Sequence, residues 1–153
     1  MTGFELPSEA RYRIRTPNSV PRRIRVIALA DDDTEMENCR LYADVECVRA
    51  SELAALLQRS DAASEGHPAT LDAWLGQPDI VVIAGREGDD ASLVATAARA
   101  YRSRGVTVSV VISPSESRAN RTADALRPYA TMMVLPTQAG YLDDLLSALG
   151  ATA

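Results

Sequence analysis

Apolar residues along this chain come in two rhythms, and their alternation is the first thing the sequence establishes. Ile80-Val81-Val82-Ile83-Ala84, closed by Gly85, is a short unbroken apolar run rich in β-branched residues, the pattern of a strand buried on both faces. Residues 24–30 (Ile24-Arg25-Val26-Ile27-Ala28-Leu29-Ala30) and 106–112 (Val106-Thr107-Val108-Ser109-Val110-Val111-Ile112) have the same character. Two further strands are predicted at 44–48, with the alternation of a sheet edge, and at 131–136. Between them the spacing lengthens to that of helices. Leu53, Leu56 and Leu57 share one face behind Ser51 as a cap. Val94, Ala97, Ala98 and Tyr101 share another, and Tyr141, Leu142, Leu145, Leu146 and Leu149 mark a last helix stopped by Gly150. A short helix is allowed over 34–42, helical turns over 70–75, with Trp74 covering core, and another helix from Ser115 to Pro128.

Strand and helix in alternation predict a three-layer α/β fold, a five-stranded parallel sheet of flavodoxin-like or Rossmann-like order 2-1-3-4-5. The 153 residues suit one domain over 24–153 with a sizeable core. Residues 1–23 stand apart as an Arg-rich N-terminal arm or edge strand. There Ala10-Arg11-Tyr12-Arg13-Ile14-Arg15-Thr16 alternates charge with Tyr12 and Ile14 before Pro17-Asn18-Ser19-Val20-Pro21 breaks the pattern. Such an arm could hold an acidic partner or phosphates, or serve as a solvated edge whose charges discourage aggregation.

Charge alters the picture in one respect. All 16 basic residues are arginine and none is lysine, so a Schiff base, a phosphate-loop lysine and the lysine that contacts an aspartyl phosphate are excluded. Residues 1–25 carry six arginines against Glu5 and Glu9, leaving the remainder strongly acidic within a net charge of −5. An acidic pI near 4.9 argues against nucleic acid as the partner. No apolar run reaches the roughly 20 residues of a membrane span, and a cytoplasmic protein is expected. Cys39 and Cys47 are too few for a disulfide framework or zinc site. The lone His67 falls in a polar interval, 60–70, expected to be an exposed loop.

The candidate chemistry lies in two acidic turns. Asp31-Asp32-Asp33 follows the first strand, and Glu87-Gly88-Asp89-Asp90 follows the third. If those strands are neighbours, both turns open onto the crevice at the topological switch point. Asp31, Asp32, Glu87 and Asp89 are then candidate ligands for Mg²⁺, with Asp33, Asp90, Ser113 and Thr137 as further crevice residues. The competing reading makes the carboxylates helix caps, satisfying free backbone N–H groups. No Ser, Cys or His spacing forms a catalytic triad.

Two families are similar on these residues. Residues 24–149 resemble the receiver domain of bacterial response regulators: acids follow strand one (Asp31 to Asp33), Ser113 ends strand four, and Leu135-Pro136-Thr137 stands where receivers have a Leu/Val-Lys-Pro turn. The resemblance implies a phosphoacceptor aspartate at Ala84 or Gly85 and a lysine at Thr137, and the chain has neither. A more local likeness joins Asp79-Ile80-Val81-Val82-Ile83-Ala84-Gly85-Arg86-Glu87-Gly88 and Arg104-Gly105-Val106 to Pro114 with the middle of FtsZ and other tubulin-like GTPases. Asp89-Asp90-Ala91-Ser92 stands in place of their glycine-rich phosphate loop, so nucleotide binding is not expected. The combined expectation is a non-catalytic regulatory or assembly module acting on a protein partner or a second copy, without a cofactor. A small Mg²⁺-dependent enzyme or ligand-binding domain using the acidic crevice is the alternative.

Overall fold

The computed structural model describes residues 23–31, 42, 44–63, 68–115, 121–137 and 140–150. Five parallel strands form one sheet: β1 (Ile24–Ala28), β2 (Val45–Arg49), β3 (Ile80–Arg86), β4 (Thr107–Ser113) and β5 (Met132–Val134). Their spatial order is β2-β1-β3-β4-β5, the one the alternation of strands and helices predicts. β1 and β3 are neighbours, with Ile24 opposite Ile80 and Ala28 opposite Ala84.

The connections are helices, because parallel neighbours need a crossover to return the chain to the same end of the sheet. These are α1 (Ala50–Ala63), α2 (Pro68–Leu75), α3 (Ser92–Ser103), α4 (Arg121–Leu126) and α5 (Tyr141–Ala148), with a 3-10 turn at Arg127–Tyr129. Side chains alternate across the central strands and feed two cores. Ile27, Val81, Ile83, Val108, Val110 and Ile112 meet α1 to α4 through residues such as Leu53, Leu75, Tyr101 and Leu126. On the other face Ile24, Val26, Val82 and Val111 meet Leu142, Leu145 and Leu146 of α5. Removing side chains of this kind from water is worth about 1.5–3 kcal/mol each, so the two faces of the sheet carry most of the fold's stability.

Several local expectations are corrected. α1 begins at Ala50, and Ser51 does not cap it. Glu52 does, its Oε2 accepting the N–H of Arg49 at 2.6 Å, which frees the Ser51 hydroxyl for another partner. The polar interval 60–70 is shorter than expected, since α1 runs through Ala63 and α2 starts at Pro68, where a proline fits the first helical turn. Strand one ends at Ala28, although Leu29 N–H still reaches the Ala84 carbonyl at 2.9 Å. The 34–42 helix, His67, Cys39 and the 1–22 arm lie outside the described residues, apart from Tyr42. Trp74 packs against the core as expected, half-buried. Among the described residues, no helix is long and apolar enough to cross a membrane.

Candidate functional site

The acids of the second turn are held by backbone N–H groups. Glu87 is buried, and its carboxylate accepts the Thr122 N–H at 2.6 Å and the Ala123 N–H at 3.3 Å. It therefore closes the start of α4, 35 positions further along, where unpaired N–H groups and the helix dipole favour a negative charge. Its own N–H donates to the Ser113 carbonyl at 2.9 Å, so Ser113 contributes backbone here. Asp89 folds back to accept the Arg86 N–H at 2.8 Å. Asp90 accepts both the N–H and the hydroxyl of Ser92, at 3.0 and 2.7 Å, at the entrance to α3. Those two bonds favour the ionised form and hold the Asp90 carboxyl below its ordinary pKa.

Thr122 ties the turn to α4 from the other side. Its hydroxyl donates to the Asp89 carbonyl at 2.8 Å and accepts the Gly88 N–H at 3.0 Å. Gly88 has φ of +107°, a conformation that only glycine adopts freely. A shallow cavity of about 600 Å³ opens beside this turn, lined by Glu87, Asp89, Asp90, Ser92, Arg121 and Thr122.

From the first turn, Asp31 is exposed and accepts the Ser51 hydroxyl at 2.7 Å, the partner that Glu52 leaves free. Asp32 and Asp33 lie outside the described residues. Thr137 is exposed, three positions after β5. The described candidates are thus held by different elements: Asp31 by α1, Glu87 by α4, Asp90 by α3, and Asp89 by its own turn. Among the described residues, no group of three His, Cys, Asp or Glu side chains comes together in a way that would hold a metal ion.

The switch-point position itself is filled. Gly85 is buried near the end of β3, and a Cβ there would lie 2.5 Å from Leu29 Cδ1 and 2.9 Å from its Cβ. The residue that follows β1 occupies the space where a side chain from the end of β3 would project.

A second polar cluster, at the opposite end of the sheet, has Arg25 at its centre. Arg25 is buried in β1, and its Nη1 donates to the carbonyls of Trp74 and Leu75, the latter at 2.7 Å, and to the Tyr101 hydroxyl at 2.9 Å. Tyr101 in turn donates to the Leu75 carbonyl at 2.7 Å. The guanidinium lies over the Trp74 ring, 4.7 Å from its centroid, within cation–π range. On the solvent side Glu46 Oε1 sits 2.8 Å from Nε as an ion pair. Arginine suits this place because its planar guanidinium can lie over the Trp74 ring while Nη1 faces the two carbonyls and Nε faces Glu46, and it stays charged throughout. Burial pushes the Tyr101 hydroxyl above its ordinary pKa, partly offset by the Arg25 charge.

Sequence reasoning placed Arg25 in the first strand but weighed its charge only in the tally of residues 1–25, and so missed this cluster. The signal was available: Arg25 is the one charged residue in an otherwise apolar central strand, and such a charge must be paired. The chain matches no protein-family model, and a search of curated proteins finds no match.

Proposed function

We propose that this chain is a non-catalytic regulatory or assembly module of the cytoplasm, an atypical receiver-like scaffold that acts through contacts with a protein partner or a second copy. The observation that carries the reading is the use made of the acids after β3. Glu87, Asp89 and Asp90 each spend their carboxylates on backbone N–H groups, which is architectural work at the carboxyl end of the strands, where this fold class otherwise keeps its ligands. Leu29 in the space beside Gly85 and the absence of lysine from the chain support it further. Exposed apolar side chains at the β5 edge, Met132 at 40% and Leu135 at 47%, offer the sort of surface a protein contact covers.

Thermal melting in a Mg²⁺ titration tests the reading against its Mg²⁺-dependent alternative. The melting temperature is expected to be indifferent to millimolar Mg²⁺ beyond a general salt effect. A rise that grows with metal concentration, and is lost in an Asp31→Asn, Asp32→Asn variant, would establish a metal site and overturn the proposal. Glu87 is left intact in that control, because changing it would remove the α4 cap and lower stability by itself.

A further inference from the structure

Exposed charge is sorted between the two faces of the sheet. α3 packs beside α4 and the 3-10 turn on one face, and none of its residues is acidic. Its buried side is Val94, Ala97, Ala98 and Tyr101, so the helical period turns Ser92, Thr96, Arg99 and Ser103 outward. The Thr96 and Ser103 hydroxyls bond back to the carbonyls of Ser92 and Arg99, at 3.4 and 3.1 Å, which leaves the Arg99 guanidinium as the charged group of that stripe. Arg102 flanks it and donates to the Thr131 hydroxyl. Arg121 and Arg127, both exposed, extend the basic surface onto α4 and the turn after it. Asp124 is the one acid there, 3.5 Å from Arg127 in a pair exposed on both sides. Among the described residues, no carboxylate pairs with Arg99 or Arg102.

On the opposite face α5 carries the other sign. It packs there through Leu142, Leu145 and Leu146, and Asp143 and Asp144 are exposed. No arginine, lysine or histidine follows Arg127 in the chain, so nothing on α5 offsets them. Asp143 accepts the Tyr42 hydroxyl at 2.6 Å, and a carboxylate keeps further acceptor sites beyond one such bond. A place in the first helical turn accounts for the two acids, but not for the lack of any cation over the rest of the helix.

A guanidinium meets a carboxylate through paired, charge-assisted hydrogen bonds, and each molecule holds the two partners on opposite sides of its sheet. Two like faces cannot meet in this way, because Arg99 would oppose Arg99 or Asp144 would oppose Asp144. A contact between unlike faces is heterologous. It leaves one basic and one acidic face free at its ends, so it repeats, closing into a ring or continuing as a chain of subunits.

We infer that copies of this protein associate front to back, the exposed arginines of α3 and α4 on one copy against Asp143 and Asp144 of α5 on the next. The inference rests on the assembly reading above and makes a second copy the partner. Exposed ion pairs are individually weak, so the association is modest in strength and steeply dependent on salt.

Sedimentation velocity on the full chain at about 100 μM, in low salt and in about 0.5 M NaCl, tests it. The wild type is expected to form oligomers in low salt, with an apparent Kd about tenfold or more higher in the salt. An Arg99→Glu, Arg102→Glu variant and an Asp143→Arg, Asp144→Arg variant should each sediment as monomers in low salt. Their equimolar mixture should associate again, because the acidic α3 of the first then meets the basic α5 of the second, and that recovery also shows both variants to be folded. Oligomers indifferent to salt and to both variants overturn this contact and leave the assembly reading standing. A wild type that is monomeric in low salt overturns the contact together with the second copy as partner, whereas the Mg²⁺ titration decides the module reading separately.

Discussion

The side chain of Leu29, just past the end of β1, occupies the space into which a side chain at Gly85 on the neighbouring β3 would project, at a separation of 2.5 Å from the nearest atom. Gly85→Ala is therefore expected to destabilise the protein by about 1–3 kcal/mol, the usual cost of overpacking a tight core. Leu29→Ala should recover part of that loss, giving the pair a coupling energy in a double-mutant cycle. Denaturant midpoints of the four proteins measure it, and additive effects would show that the two residues do not compete for the same space.

Acetyl phosphate should not label the protein. Neither Ala84 nor Gly85 supplies a phosphoacceptor, and no lysine exists to contact an acyl phosphate. Intact mass after incubation with acetyl phosphate and Mg²⁺ is expected to be unchanged, and a stoichiometric adduct would place a phosphoacceptor elsewhere.

Arg25→Ala should be among the most destabilising changes in the chain, at about 3 kcal/mol, because it opens a cavity and leaves the Trp74 carbonyl without its buried donor. Arg25→Lys should fall between wild type and alanine, since an ammonium lacks the planar group that lies over Trp74 and cannot face the Leu75 carbonyl and Glu46 through separate nitrogens. Glu46→Gln, by contrast, removes a carboxylate that is 66% exposed and should cost less than about 1 kcal/mol. Urea unfolding ranks the three.

Removing the α4 cap should be felt at a distance. Glu87→Ala is expected to cost about 1–2 kcal/mol and to speed amide exchange at Thr122 and Ala123 more than at residues of α3. Glu87→Gln keeps an acceptor oxygen and should lose less. An equal loss in both variants would mean that charge at the helix start, rather than the hydrogen bonds, is the larger contribution.

Tyr101 gives the protein an alkaline limit. Its hydroxyl titrates above the ordinary value of 10.0 in the folded state, chiefly because it is buried, so the folded protein holds the proton more tightly than the unfolded chain does. The resulting stability is fully present below pH 10 and declines as pH rises through the folded-state value. Tyr101→Phe should be less stable at neutral pH, having lost its bonds to Leu75 and Arg25, and its stability should fall less steeply above pH 10. Melting temperatures from pH 8 to 11 test the difference in slope.

Residues whose environment is set by periodicity were legible from sequence. Val94, Ala97, Ala98 and Tyr101 were placed on the buried face of α3, and the strand order followed from the alternation of short apolar runs with helical spacing. The individual partners of polar side chains were not, because they depend on which helix starts lie beside which turn. Glu87 reads from sequence as an acid near α3, but the sheet brings it to α4, whose first residue is 34 positions away in the chain. Asp31 and Ser51 likewise meet only because β1 and β2 are adjacent. The tyrosine role of Tyr101 shows the limit most clearly, since its apolar position was evident while its hydroxyl's link to Arg25 needed the fold.

The Arg25 cluster also sets an order of events during synthesis. β1 is among the first parts of the domain to leave the ribosome, yet the hydrogen-bond acceptors of its buried guanidinium sit 49, 50 and 76 residues further on, beyond its ion-pair partner Glu46. Until Tyr101 has emerged the nascent chain cannot bury that strand without leaving the charge only partly satisfied, so β1 is expected to stay in water until α2 and α3 are made. A pause in translation before that point would prolong the exposure of Ile24, Val26 and Ile27, the interval in which a chaperone would find its target.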